Sequence, residues 1–171
     1  SANLLGARLH WAGGYDIEIE YSSEMRRRAV RIVREVNPDI ILTHPPQDYL
    51  IDHEETSRLV RTAAFVASVP NYDDGIPDRP ASRIPHLYYW NAVGLADIYG
   101  RPLPLSCSVD IGTVMDLKTK MLACHASQRE WLRRVAGWDE YLEKMRQAAA
   151  QEGRTVGVEF GEGFIQHLGL G

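Results

Sequence analysis

The chain has 171 residues, 44% of them hydrophobic and 25% charged, the make-up of one globular domain able to bury a core. Its net charge of −4 argues against nucleic acid or an anionic membrane surface as the main partner, since both attract basic patches. No apolar run has the length of a membrane helix, SANLLGARLHW is not a secretory leader, and Cys107 and Cys124 make neither a C-x-x-C pair nor a disulfide framework, so a reducing, cytoplasmic setting is expected.

Residues 2–13 read as the end of one helix followed by a strand, an opening from which the first strand or strands of a fold are expected to be missing. Ser22 or Ser23 can cap a helix whose apolar residues Met25, Ala29, Ile32, Val33 and Val36 recur at helical spacing. Arg26, Arg27, Arg28, Arg31 and Arg34 are expected on its solvated side. Pro38 ends the helix, and Asp39 to Thr43 forms a short buried strand. Helix followed by strand is the order of a βαβ unit and implies a parallel sheet.

After a polar loop, Asp52 can cap a second helix, with Glu55 three residues on completing a capping box, and the helix runs to about Val69. Residues 70–85 are rich in Pro, Asp and Gly and long enough for a lid or binding loop. Strands follow at His86 to Asn91 and around Leu105 to Ile111. Thr113 to Val135 reads as one helix with a stripe of Leu117, Met121, His125, Gln128 and Leu132 that turns His125 inward. A last helix over Trp138 to Gln151, ended by Gly153, leads to a strand at Thr155 to Phe160. With no repeat or linker, residues 1–171 are expected to form a single α/β domain.

The chemistry concentrates in PDIILTHPPQDYLIDHEETS, residues 38–57, where a strand runs into a loop holding His44, Asp48, Asp52 and His53. Open α/β folds place ligands where strands end, and these side chains are metal ligands or acid/base groups. Blander roles compete: a helix cap for Asp52, surface exposure or a backbone hydrogen bond for His44, and a hydrogen-bonded core position for His125. The H-E-x-x-H zinc helix is excluded, since Ser57 stands four residues after His53. A nucleotide-binding Rossmann domain is disfavoured because no G-x-G-x-x-G follows a strand.

The same segment resembles the second signature of the LmbE-like, or PIG-L, zinc-dependent N-deacetylases, approximately P-D-hydrophobic-T-H followed by D-Y-H-P-D-H. LLG near the start, LKTKMLACHASQ and VEFGEGF resemble further stretches of that family. The resemblance implies a Rossmann-like three-layer sandwich with a mostly parallel sheet, and hydrolysis of an N-acetyl group on an amino sugar or glycoconjugate by a zinc-bound water. Another divalent ion could take the place of zinc.

Carried over by position, the resemblance makes His53 a zinc ligand and Asp52 the carboxylate that orients a histidine. Glu162 follows the terminal motif, and Asp48, Tyr49 and residues 70–85 are candidates for sugar contacts. Trp11, Trp90, Trp131 and Trp138 are assigned none. Two departures stand out. Leu50 replaces the histidine credited with stabilising the tetrahedral intermediate, leaving His44 and His125 as candidates for that task. The family's first signature, H-P-D-D-E, is absent. The alternative reading is a non-catalytic binding module that keeps the fold, and an unpaired sheet edge makes self-association a further expectation.

Overall fold

The computed structural model describes residues 1–76, 80–92, 94–136 and 140–169. Its contacts divide the chain into two compact units, one comprising His10–Cys107 with Phe164–Gly171, the other Ser1–Leu9 with Ser108–Gly163. The fold is mixed α/β, as the sequence implies.

In the first unit α1 spans Ser23–Val36, and the Ser22 side chain accepts from the Met25 amide, the expected cap. Asn37 closes the helix at φ 46° before Pro38. Strand β1, Ile40–Thr43, pairs in parallel with β2, His86–Trp90, Ile40 opposite His86 and Thr43 opposite Tyr89. Strand β4, Gly161–Gln166, runs antiparallel to β2, with Trp90 opposite Phe164. The sheet is therefore mixed at its described pairs. Helix α2, Ile51–Val66, packs on α1, where Val30 and Val33 meet Ala63, Ala67 and Ala81. Alanines on α2 let the two backbones approach closely.

Several expectations are corrected here. Arg34 does not lie on a solvated face. It sits four residues after Val30 and one after Val33, on the buried stripe, and is 8% exposed. Its guanidinium lies 3.1 Å from the Asp74 carboxylate and donates to the carbonyls of Ala67 and Val69. Asp74, Ala81 and Ser82 thereby tie the described part of residues 70–85 to the C-terminal end of α1, with Ser82 donating to Asn37. That is where β1 and β2 begin, at the opposite end from His44, so these residues do not rim the His44 loop; Pro77, Asp78 and Arg79 of the loop lie outside the described residues.

Strand β1 is not fully buried either. Among the described residues it pairs on one side only, with β2, and Ile40 and Leu42 are 57% and 51% exposed, lining an open apolar cleft with Trp11, Ile32, Val36 and Val60. Residues 7–15 form no strand.

In the second unit a 3-10 turn covers Ala2–Leu5. Strand β3 spans Cys107–Asp110. Where one helix was expected there are two, α3 over Met115–Ala123 and α4 over Ala126–Ala136. The Cys124 and His125 amides bond to carbonyls three residues back, which tightens the chain into a break. Helix α5, Tyr141–Val156, packs Ala149 against Ile111 and Met115. The expected start of this helix at Trp138 lies outside the described residues.

The strand expected at Thr155 to Phe160 is instead the end of α5 and a turn, with Gly157 at φ 78° as the stop. Gly153 lies inside the helix. A Cβ there would come within 2.7 Å of the Val158 carbonyl, and one on Gly161 within 3.1 Å of Gly153 Cα, so the two glycines let β4 pass closely.

Candidate metal site and active site

Because β1 and β2 are parallel, their C-terminal ends lie together, and the residues just past Thr43 and at Trp90 meet there. His44 stands with its ring 4.5 Å from that of Trp90, edge to face. The loop of residues 44–50 then leads into α2, whose first turn returns His53 to the same place. The His44 and His53 rings stack at 3.8 Å with 16° between their planes. Tyr49, 67% exposed, sets its edge against the outer side of His53 at 5.5 Å. Four rings in a row thus mark the end of the two strands.

Asp48 fixes one of them. It is 5% exposed, and its Oδ1 accepts from the Leu50 amide at 3.3 Å and from His53 Nδ1 at 2.9 Å. A carboxylate can only accept, so Nδ1 carries the proton and the Nε2 lone pair of His53 is left open. Candidate ligand atoms of His44, Asp48 and His53 lie within 4.8 Å of one another. The donor set of imidazole and carboxylate suits zinc. The two rings lie face to face, and His53 Nε2 is the nitrogen free of the Asp48 contact.

His44 is held neutral. Burial, followed by the adjacent His53, lowers its pKa to about 4, against a smaller opposing pull from Asp48. Its Nδ1 is buried with no hydrogen-bond partner among the described residues, an orphaned polar atom of the kind a ligand satisfies.

Asp52, expected to cap α2 or orient a histidine, does not cap the helix. The N-cap is Leu50, with no side-chain cap bond. The Asp52 carboxylate accepts from the amides of Ile17 and Ile19 at 2.5 and 3.2 Å. It pins the segment before α1 to the start of α2, and the carboxylate that holds His53 is Asp48. Asp48 is accordingly behind the histidine and not on an open sugar-binding surface. Glu55 makes no capping box.

His125 and Glu162 belong to the other unit. His125 is exposed at the break between α3 and α4, not inward-facing, because the break turns it off the helical stripe. Glu162, on β4, is ion-paired with Lys118 of α3. Residues 38–57 thus bring together His44, Asp48, Tyr49 and His53 but not Asp52. Sequence reasoning missed Trp90, whose signal was its place at the end of the strand beside the one that delivers His44.

Residues 1–64 match the family PIG-L: GlcNAc-PI de-N-acetylase. The chain is 30% identical over 170 residues to a diacetylchitobiose deacetylase of Thermococcus kodakarensis, a match that takes in 95% of this chain and 58% of that protein. It therefore spans little more than half the length of that curated relative. Among solved structures, the N,N'-diacetylchitobiose deacetylase of Pyrococcus horikoshii superposes with a TM-score of 0.74 at 26% identity, covering 97% of this chain and 60% of that one. The conserved protein TT1542 of Thermus thermophilus gives 0.78 at 20% identity, covering 98% and 69%. A 4-carboxy-2-hydroxymuconate hydratase of Pseudomonas putida gives 0.73 at 22%, covering 98% and 68%. The last two show the fold alone, and the hydratase shows that this fold carries more than one chemistry.

Proposed function

We propose, from the premise that this chain is a PIG-L/LmbE-like protein, that it supplies one side of the active site of a metal-dependent N-deacetylase acting on an N-acetylated amino sugar or glycoconjugate. The observation that carries the reading is His53, held by Asp48 with its Nε2 lone pair open. A divalent ion, zinc by the donor set, would be held there by His53. Such an ion supplies an activated water and polarises the acyl carbonyl.

The chain's own residues would do the rest of this side's work. Asp48 holds the tautomer and orientation of His53. His44, held neutral by burial beside His53, is the candidate to hydrogen-bond the acetyl oxygen as charge develops on it, the task that Leu50 cannot perform. Trp90 and Tyr49 stand on either side of the histidine pair and offer apolar faces to a pyranose ring. The relatives of Thermococcus and Pyrococcus are diacetylchitobiose deacetylases, which supports an N-acetylated sugar as substrate. Variants of His125 and Glu162 are to be assayed with the others.

The test is acetate release by the full-length protein from N-acetylglucosamine and from diacetylchitobiose. Activity should disappear on chelation, return with zinc, and be absent in His53→Ala. Leu50 favours the alternative, a binding module that has lost the chemistry. A folded, metal-loaded full-length protein that binds these sugars and releases no acetate would establish that alternative.

A further inference from the structure

We infer that Glu54 is a positioning residue for the metal site, acting through the main chain of Asp48; the inference rests on the reading of His53 as a metal ligand. The run from Pro45 to Leu50 carries two prolines that donate no backbone hydrogen bond, and it must set the Asp48 carboxylate against an imidazole one helical turn away. Glu54 reaches back from the first turn of α2, past the N-cap Leu50, and its Oε1 accepts from the Asp48 amide at 2.9 Å. Asp48 in turn accepts from the Leu50 amide and from His53 Nδ1, while the Leu50 carbonyl accepts from the His53 amide at 3.0 Å. Residues 48–54 are thus closed into a ring of hydrogen bonds in which Glu54 fixes the backbone of the residue that fixes His53.

The competing role for Glu54 is plain electrostatics, an acidic side chain in the first turn stabilising the helix through its dipole and attracting a cation by charge. The two roles are separable by reach and charge. Glu54→Gln keeps an Oε1 acceptor at the same distance and removes the charge. Glu54→Asp keeps the charge and shortens the side chain by one methylene, withdrawing the acceptor from the Asp48 amide.

The experiment is competition of full-length protein with a chelator for zinc, alongside the tautomer of His53 read from its imidazole 15N shifts in the metal-free protein and the melting temperature of each variant. Glu54→Asp should bind zinc about tenfold more weakly than wild type, at the low end for partners that orient a metal ligand, with mixed tautomers at His53. Glu54→Gln, which keeps the acceptor, should bind zinc close to wild type and short of the roughly tenfold loss expected when such a partner is removed. Equal zinc affinity in both variants, or the reverse order, would overturn the inference. His53→Ala serves as the control: if it binds zinc as wild type does, the metal reading itself falls and the inference with it. If it loses zinc while Glu54→Asp does not, the inference alone fails.

Discussion

His53 Nδ1 lies 2.9 Å from Asp48 Oδ1, and the carboxylate is almost entirely buried behind the ring. A histidine with one nitrogen committed to a buried carboxylate presents the other in a fixed direction, which is the arrangement metal-ligating histidines adopt. Asp48→Asn should therefore weaken zinc binding in the full-length protein by about 10- to 100-fold while leaving it folded. An unchanged affinity, measured by chelator competition, would mean that the contact does not serve a metal.

Asp52 is expected to act through structure. Its carboxylate accepts from two amides more than thirty residues upstream, and hydrogen bonds to a charged group carry more weight than neutral ones. Asp52→Ala should lower stability to denaturant by about 2–4 kcal/mol, with Asp52→Asn losing less, and zinc affinity in the folded variant should stay near that of wild type. Wild-type stability combined with lost zinc binding would return Asp52 to the metal site.

How much of this could be read in the sequence depends on how local the cause was. Helix α1 was legible because Ser22, the apolar stripe and Pro38 are neighbours in the chain. The end of α5 was not. Gly153 has the look of a helix stop, but it is small so that Gly161 can approach it, and only the tertiary contact shows this. The break at Cys124 carries no Gly or Pro to announce it. At the site, His44 and His53 stood out as a histidine-rich run after a strand. Which of Asp48 and Asp52 would face His53 was settled by the path of the loop, and Trp90 joined through sheet register, a pairing across 46 residues of chain.

Arg34 and Asp74 make a second test of buried charge. Both are nearly inaccessible and 3.1 Å apart. Removing one partner strands the other, so Asp74→Leu should destabilise by about 3–5 kcal/mol. The pair Arg34→Met with Asp74→Leu should regain part of that loss in the same chemical denaturation experiment. Additive losses from the two changes would contradict the pairing.

Acid should destabilise the metal-free protein through His44 and His167. Both have folded-state pKa values below the ordinary 6.5, His44 at about 4 through burial and His53, His167 through burial and Arg61. The unfolded chain takes up these protons first, so stability is fully present above 6.5 and is lost as pH falls towards the folded values. A denaturant midpoint that drops between pH 7 and pH 4.5, less so in His44→Gln, is expected. A His44 ring that titrates near 6.5 by NMR would contradict its burial.

Trp90 and Tyr49 should govern substrate affinity more than turnover. Loss of an aromatic contact is worth about 0.5–1.5 kcal/mol, so Trp90→Ala should raise KM for an N-acetylated sugar by about 2- to 13-fold, with kcat changing less. A fall in kcat at constant KM would place Trp90 in the support of His44 and not in the binding of a sugar ring.

The most direct measurement of the central claim is the metal content of the full-length protein beside that of its His53→Ala variant, both purified without added metal and shown to be folded. About one zinc or similar divalent ion per wild-type chain, the stoichiometry of a mononuclear site, should fall to a small fraction in the variant. A full-length protein that carries no such ion, or a variant that holds as much as wild type, would contradict the account.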